Sequence, residues 1–322
     1  MVDKKPAPIN NRMTGIILVI FASIGWGSSG IFIINIIEKG GLSAVGLAFW
    51  RDLVSTLILL AGLLVVDPKL LRVKKQDLPW LIGMGMISIG ALHIFWNIAV
   101  LELGVSLATV IQSNAPIIVT ILARILFKEE LSIRKILAII AGAGGTVLAA
   151  GIIGNQDLQA SSIGIWVGIG VAATYASLSL FGKKLSQEYS FWTITFYTFA
   201  IGTLTIFLFQ GGRPDPWPMG SGILPWMLGF VLMSSMIGFA LYTKALSLLP
   251  ASVAVIISTA EIPSAAILSA IFLGERMGVW QILGAALIIL GVVLVSLKRS
   301  KDLPQPLQRF LNILNRIGAG ES

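Results

Sequence analysis

Glu261 is a carboxylate inside an apolar stretch, residues 251–273, where burying an acid in lipid is expensive without a role. Held there, a carboxyl group can take up a proton on one side of a membrane and release it on the other. It can equally neutralise an ammonium group on a substrate, or make a structural hydrogen bond to another helix. His93 and Asn97 stand one helical turn apart in the stretch 79–101, so they would line a cavity together unless His93 only bonds a packed neighbour. Arg51 and Asp52 share the stretch 42–66, but adjacent helical residues point about 100° apart, so they are not read as each other's partner. Two prolines complete this set. Pro116 and Pro263 cannot donate to the carbonyls of Gln112 and Thr259, four residues earlier. Thr109, Ser113, Asn114 and Thr120 crowd the first break, and Ser258, Glu261 and Ser269 the second. A freed carbonyl in lipid must face a cavity or a partner, so paired broken helices mark a transport pathway. Ordinary kinks with Ser and Thr bonded back to their own helix are the alternative.

Other patterns carry less. Gly25-Trp26-Gly27-Ser28-Ser29-Gly30 matches a dinucleotide-binding fingerprint, but that motif needs a strand before it, and here it lies in an apolar helical run. The same segment resembles the serine motif of intramembrane proteases, with His93 as the one available base, so a Ser29–His93 hydrolase is a reading from a different class. Close helix packing, with Trp26 as the wall of a site beside Ser28, is preferred. Aromatic residues recur in matched pairs: Trp26 with Tyr175, Trp50 with Tyr197, Trp96 with Tyr242. Such rings could clasp an apolar or cationic substrate. There is no Cys and a single His, which removes disulfides, thiol nucleophiles and zinc-thiolate or multi-histidine metal sites. No cofactor is expected.

The elements that must position these residues follow from composition. The chain has 322 residues, 56% hydrophobic and 12% charged, and an ordinary soluble domain carries about twice that charge. Ten apolar stretches are each long enough to cross a bilayer core as helix: 13–37, 42–66, 79–101, 104–127, 132–153, 162–183, 190–210, 223–246, 251–273 and 279–298. Continuous runs such as Gly15–Phe21 and Ile282–Leu297 favour helices over the alternation of a β-barrel. The first stretch is too long for a signal-peptide core and is expected to be retained. Of the 23 Lys and Arg, 18 fall on one set of connecting segments. That excess puts both termini in the cytoplasm and makes the +8 charge an orientation signal, with nucleic-acid binding a remote alternative. In the tail, 299–322, Leu307, Phe310, Leu311, Leu314 and Ile317 fall on one helical face, as an interfacial helix would require, although a frayed tail is equally consistent.

The chain also repeats itself. Leu103-Gly104-Val105-Ser106-Leu107-Ala108 returns 146 residues later as Leu249-Pro250-Ala251-Ser252-Val253-Ala254, and Phe127-Lys128-Glu129-Glu130 returns as Leu273-Gly274-Glu275-Arg276. Ala138 and Gly145 map onto Gly284 and Gly291, which suits helix-packing faces, with a dimer seam there a further guess. Each copy, 14–153 and 162–298, holds five crossings, so the second enters the membrane from the opposite side. The expected architecture is all-α, with ten transmembrane helices as two inverted five-helix repeats, as in alternating-access transporters.

These residues resemble a known family. Trp26-Gly27-Ser28 in the first helix, Arg51 in the second, Pro116 and Pro263 midway along the fourth and ninth, and Leu273-Gly274-Glu275-Arg276 at a helix end match the ten-helix EamA-type transporters of the drug/metabolite superfamily. One departure is that Glu261 lies two residues before Pro263, where the family often has an acid directly before it. The resemblance implies export of a small metabolite such as an amino acid or related amphiphile, with Arg51 as a cavity or gate residue; a multidrug exporter is the alternative. The expected setting is a bacterial inner membrane, with a small-molecule substrate and the lipid bilayer as partners and a monomer or homodimer as the unit.

Overall fold

A computed structural model describes residues 9–150, 161–217, 222–274 and 277–297. The tail 299–322, with its candidate interfacial helix, lies outside the described residues, as do Glu275 and Arg276. Helices account for nearly all of the described chain, and no strand occurs among these residues. Nine stretches among them are long and apolar enough to cross a membrane. The sequence segment 132–153 appears as α7 (Ile133–Ala149), 17 residues or about 26 Å of helix.

Several of the long helices are interrupted. The first pair is α1 (Ile9–Gly27) and α2 (Ser29–Gly40), joined at Ser28, whose hydroxyl donates to the Gly25 carbonyl at 2.7 Å. After α3 (Ala44–Val66) come α4 (Leu78–Gly85), a π-helical segment Met86–Ala91 and α5 (Leu92–Gln112). The chain then restarts as α6 (Ala115–Phe127). In the second half, α8 (Ser162–Leu185) and α9 (Phe191–Phe209) are continuous. They are followed by α10 (Ile223–Gly229), a π-helical segment Phe230–Ile237 and α11 (Gly238–Leu248), then α12 (Ala251–Ser258), α13 (Glu261–Phe272) and α14 (Val279–Ser296).

Contacts along α8 show how the α5 run is laid out. A Cβ on Gly164 would meet Leu103, one on Gly168 would meet Ile111, and one on Gly170 would meet Phe95. Leu103 therefore marks one end of the bundle, and both Phe95 and Ile111 lie further inside it.

Small residues let the helices touch. Gly145 and Gly284 bring α7 and α14 into backbone contact, since a Cβ on Gly145 would stand 2.7 Å from the Gly284 carbonyl oxygen. Gly291 repeats this against the Ala138 carbonyl at 2.9 Å. The small-residue faces read from the sequence thus pack on each other within one chain. The largest fully buried side chains are Tyr242, Phe199 and Phe230.

Candidate functional site

Two polar clusters lie inside the bundle, and a third closes the end where α1 begins. The first is built where helices stop. Pro116 occupies the first turn of α6 and Pro263 the first turn of α13, where a missing N–H leaves no intrahelical bond unmade. The breaks precede them, at Ser113–Asn114 and Thr259–Ala260, again 146 residues apart. Glu261 opens α13. Gly27 sets α1 directly against that turn: a Cβ there would approach the Ala265 nitrogen to 2.8 Å and the Glu261 carbonyl oxygen to 2.9 Å.

Above this contact the Trp26 ring meets Tyr242 at 5.1 Å, Phe239 at 5.2 Å and Tyr175 at 6.5 Å between centroids. The Tyr175 hydroxyl reaches the Glu261 carboxylate and Ser258. Tyr242 reaches Ser258 as well, and shares a 2.7 Å hydrogen bond with Ser179. Trp26 is 6% exposed, and its indole N–H is buried with no acceptor. Chemically the cluster offers aromatic faces, one carboxylate and one unspent donor. That set suits a cation held against rings, with a polar acceptor beside it.

The second cluster corrects one expectation. Arg51 and Asp52 are partners: Arg51 Nε donates to Asp52 Oδ1 at 2.9 Å. The arginine stem is long enough to fold back across the angle that separates adjacent helical positions. Asp52 has no exposed side-chain surface, so it is a second carboxylate buried in the bundle. His93, from α5, completes the group, with Nδ1 3.2 Å from Asp52 Oδ2 and both ring nitrogens within reach of Arg51 Nη2. The guanidinium also lies 5.2 Å from the centre of the Phe230 ring. With both nitrogens engaged, His93 is not placed as a base for Ser29, which removes the basis of the hydrolase reading. Asn97, one turn along, is half-buried.

The remaining candidates are scattered. Ser113 and Asn114 donate to the Val110 carbonyl, and Ser258 donates to Val255, so these side chains serve the helix ends in this state. Tyr197 donates to the Leu71 carbonyl at 2.7 Å. Trp50 instead donates to the Asp215 carbonyl and packs on Trp217. The pair Trp50 and Tyr197 therefore does not form a clasp, whereas Trp26 and Tyr175 do meet.

One buried polar contact was not assigned from the sequence. Glu129 accepts from the Ala251 N–H at 2.6 Å, from the Ser252 N–H at 3.3 Å and from the Ser252 hydroxyl, capping α12. Lys135 pairs with the same carboxylate at 3.4 Å. Both partners belong to the duplicated motifs, which were the available signal. A cavity of about 350 Å³ opens beside this contact, lined by Arg12, Arg134, Lys135, Val253 and Leu294 among others. No cluster of His, Cys, Asp and Glu suited to a metal occurs among the described residues.

The model of the EamA-like transporter family matches residues 13–151 and 162–297. This chain belongs to that family. It is a multi-pass membrane transporter and not an enzyme. It is 25% identical over 285 residues to the uncharacterized inner membrane transporter YicL of Salmonella typhimurium, covering 88% of this chain and 95% of that one. It is 26% identical over 292 residues to the uncharacterized transporter YxxF of Bacillus subtilis, covering 89% and 91%. A crystal structure matches the fold with TM-score 0.74 at 15% identity, over 88% of this chain and 96% of the other.

Proposed function

We propose that this EamA-family chain is a secondary active exporter of small metabolites, amino acids or related amphiphiles, working by alternating access in a bacterial inner membrane. Its two halves, 14–153 and 162–298, act as inverted repeats of five crossings each, with both termini cytoplasmic. Ten crossings follow if the α5 run turns back near Leu103, with Phe95 and Ile111 on either side of the reversal. The inverted relation is supported by the π-helical segments, Met86–Ala91 and Phe230–Ile237, and by the helix breaks, which recur in corresponding positions.

The observation that carries this function is the break before Glu261. A half-helix begins deep in the bundle, its first residue is an acid, and an aromatic cluster with an unspent donor surrounds it. Substrate binds against Trp26, Tyr175, Tyr242 and Ser258, and Glu261 exchanges a proton for the substrate between states. The Glu129–Ser252 contact then closes the cytoplasmic end while the centre is reached from outside.

Reconstitution in liposomes tests this. A screen of amino acids, sugars, nucleobases and cationic compounds by counterflow identifies the cargo. Glu261→Gln is then expected to abolish uptake driven by a proton gradient while sparing substrate exchange. Undiminished gradient-driven uptake in that variant would sink the coupling role of Glu261.

A further inference from the structure

We propose that the cavity of about 350 Å³ at the end of the bundle where α1 begins binds the phosphate head of an anionic phospholipid, clamped by Arg12 and Arg134. Four helix ends meet there. The first turns of α1, α7 and α12 and the last turn of α14 all contribute to its lining, so it opens where a bilayer's head groups would lie. Its walls divide by chemistry. Arg12, Ser132, Arg134 and Lys135 supply the polar side, and Val253 and Leu294 the apolar side.

Two guanidinium groups converge on one helix end. Arg12 Nη2 donates to the Val295 carbonyl at 3.0 Å and to the Ser296 carbonyl at 3.4 Å, and Arg134 Nη1 donates to the Leu297 carbonyl at 2.9 Å. A helix C-terminus carries about half a negative charge, which offsets only part of two cations. Arg12 also lies within electrostatic reach of both Arg134 and Lys135. The two acids on the cavity wall serve elsewhere: Glu129 holds α12 and Lys135, and Glu130 is exposed beside Lys135. Among the described residues no carboxylate bonds to either guanidinium. Each guanidinium has five N–H groups and spends only one nitrogen on α14. Arg12 Nε is covered and has no acceptor at all. Two neighbouring cations thus share a cavity wall with donors to spare and no anion between them.

A phosphodiester supplies the missing partner. Its oxygens match the fork of a guanidinium, and one phosphate can bridge two arginines. The apolar wall and the outer sides of the same helices select an amphiphile over a free ion. Met13 and Ile17 on α1, Ile136 and Ile140 on α7, and Val293 on α14 are exposed apolar side chains further along these helices. Acyl chains can lie on them while the head stays between α1, α7 and α14. Beyond Leu297 the sequence continues Lys298-Arg299-Ser300-Lys301, which places three more cations within four residues of the cavity wall in sequence. A lipid phosphate held there ties two helices of the first half, α1 and α7, to the last helix of the second.

The test titrates the full chain, purified in detergent and stripped of lipid, with dioleoyl phosphatidylglycerol, dioleoyl phosphatidylcholine or inorganic phosphate. Native mass spectrometry reads binding, and the melting temperature reads stabilisation. Phosphatidylglycerol is expected to bind saturably and to raise the melting temperature. Phosphatidylcholine, whose choline group repels the arginines, and inorganic phosphate, which has no chains, are each expected to bind at least about tenfold more weakly. Arg12→Gln and Arg134→Gln should each weaken phosphatidylglycerol about tenfold, as loss of a hydrogen bond to a charged group implies. Lys74→Gln removes the same charge from an exposed pair elsewhere and should leave binding within about twofold. Equal binding of phosphatidylcholine would overturn the inference, and equal binding of inorganic phosphate would show a free-anion site in place of a lipid site. A loss in Lys74→Gln as large as in Arg134→Gln would reduce the effect to diffuse charge attraction and overturn it as well. The three ligands are compared on the parent protein, so the test survives a variant that fails to fold. Transport is not part of the readout, so failure of Glu261 as the coupling residue leaves this binding untouched.

Discussion

Asp52 and Glu261 are both carboxylates inside apolar helices, and their surroundings assign them different work. Asp52 lies within α3, fully covered, with a guanidinium on one oxygen and an imidazole on the other. Glu261 opens a helix after a break, and its side-chain partner is a phenol. The first acid is locked by charges that depend on it. The second has no cation among its side-chain partners. Burial alone does not distinguish the two acids; their partners do.

The largest test of this contrast removes each acid in turn. Asp52→Ala leaves the Arg51 cation buried without its counter-charge and should cost about 3–5 kcal/mol. Thermal unfolding in detergent reads this loss. The double variant Arg51→Ala, Asp52→Ala should recover part of it, because no unpaired charge remains. Equal melting temperatures for Asp52→Ala and the parent would break the comparison at its strongest point.

A smaller effect is expected where α1 meets the Glu261 turn. Gly27→Ala drives a methyl group into backbone atoms of α13, at 2.8 Å and 2.9 Å, and should cost about 1–3 kcal/mol of stability. Gly30→Ala, three residues on, has nothing within 4 Å and should be neutral or slightly stabilising. If both substitutions melt alike, the close approach of α1 to Glu261 is not real.

Next comes Glu129, a third carboxylate, whose task is to close an end. Glu129→Gln weakens the cap on α12 and the pair with Lys135, for about 1–2 kcal/mol. The chain has no cysteine, so Ser252→Cys adds a single reporter thiol. Labelling of that thiol by a membrane-impermeant reagent should rise when Glu129→Gln is added. Unchanged labelling would mean that Glu129 does not hold this end shut.

The sequence carried these features unevenly, for physical reasons. Hydropathy made the helices visible, because lipid demands apolar length. Pro116 and Pro263 announced the breaks, although the preceding helices end at Gln112 and Ser258, ahead of the prolines, and Asn114 and Ala260 cap the helices that follow. Gly145 and Gly284 announced α7 against α14, since small residues in register have one main use in such a helix. Glu261 stood out as an acid among apolar neighbours. The Arg51–Asp52–His93 cluster was hidden because side-chain reach, which helical angles ignore, creates it. Glu129 was hidden because its partners, Ala251 and Ser252, lie more than 120 residues away. A duplicated motif marks such residues without saying that one copy binds part of another.

The smallest effect belongs to a carboxylate at the surface. Glu188 pairs with Lys74 at 3.0 Å, and both side chains are largely exposed, at 45% and 59%. The hydrogen bond from Lys74 to Glu188 raises the ammonium group above its usual 10.5. A raised lysine contributes fully below its unfolded value, and the contribution is lost only as pH climbs through the folded one. Nothing from this pair should therefore change between about pH 5 and pH 8. Lys74→Ala is expected to leave the melting temperature within experimental error across that window, since exposed pairs contribute little. A pH-dependent loss of stability in Lys74→Ala within that window would show that this pair feels its neighbours as the buried acids do, and the ranking of carboxylates by their partners would fail at its weak end.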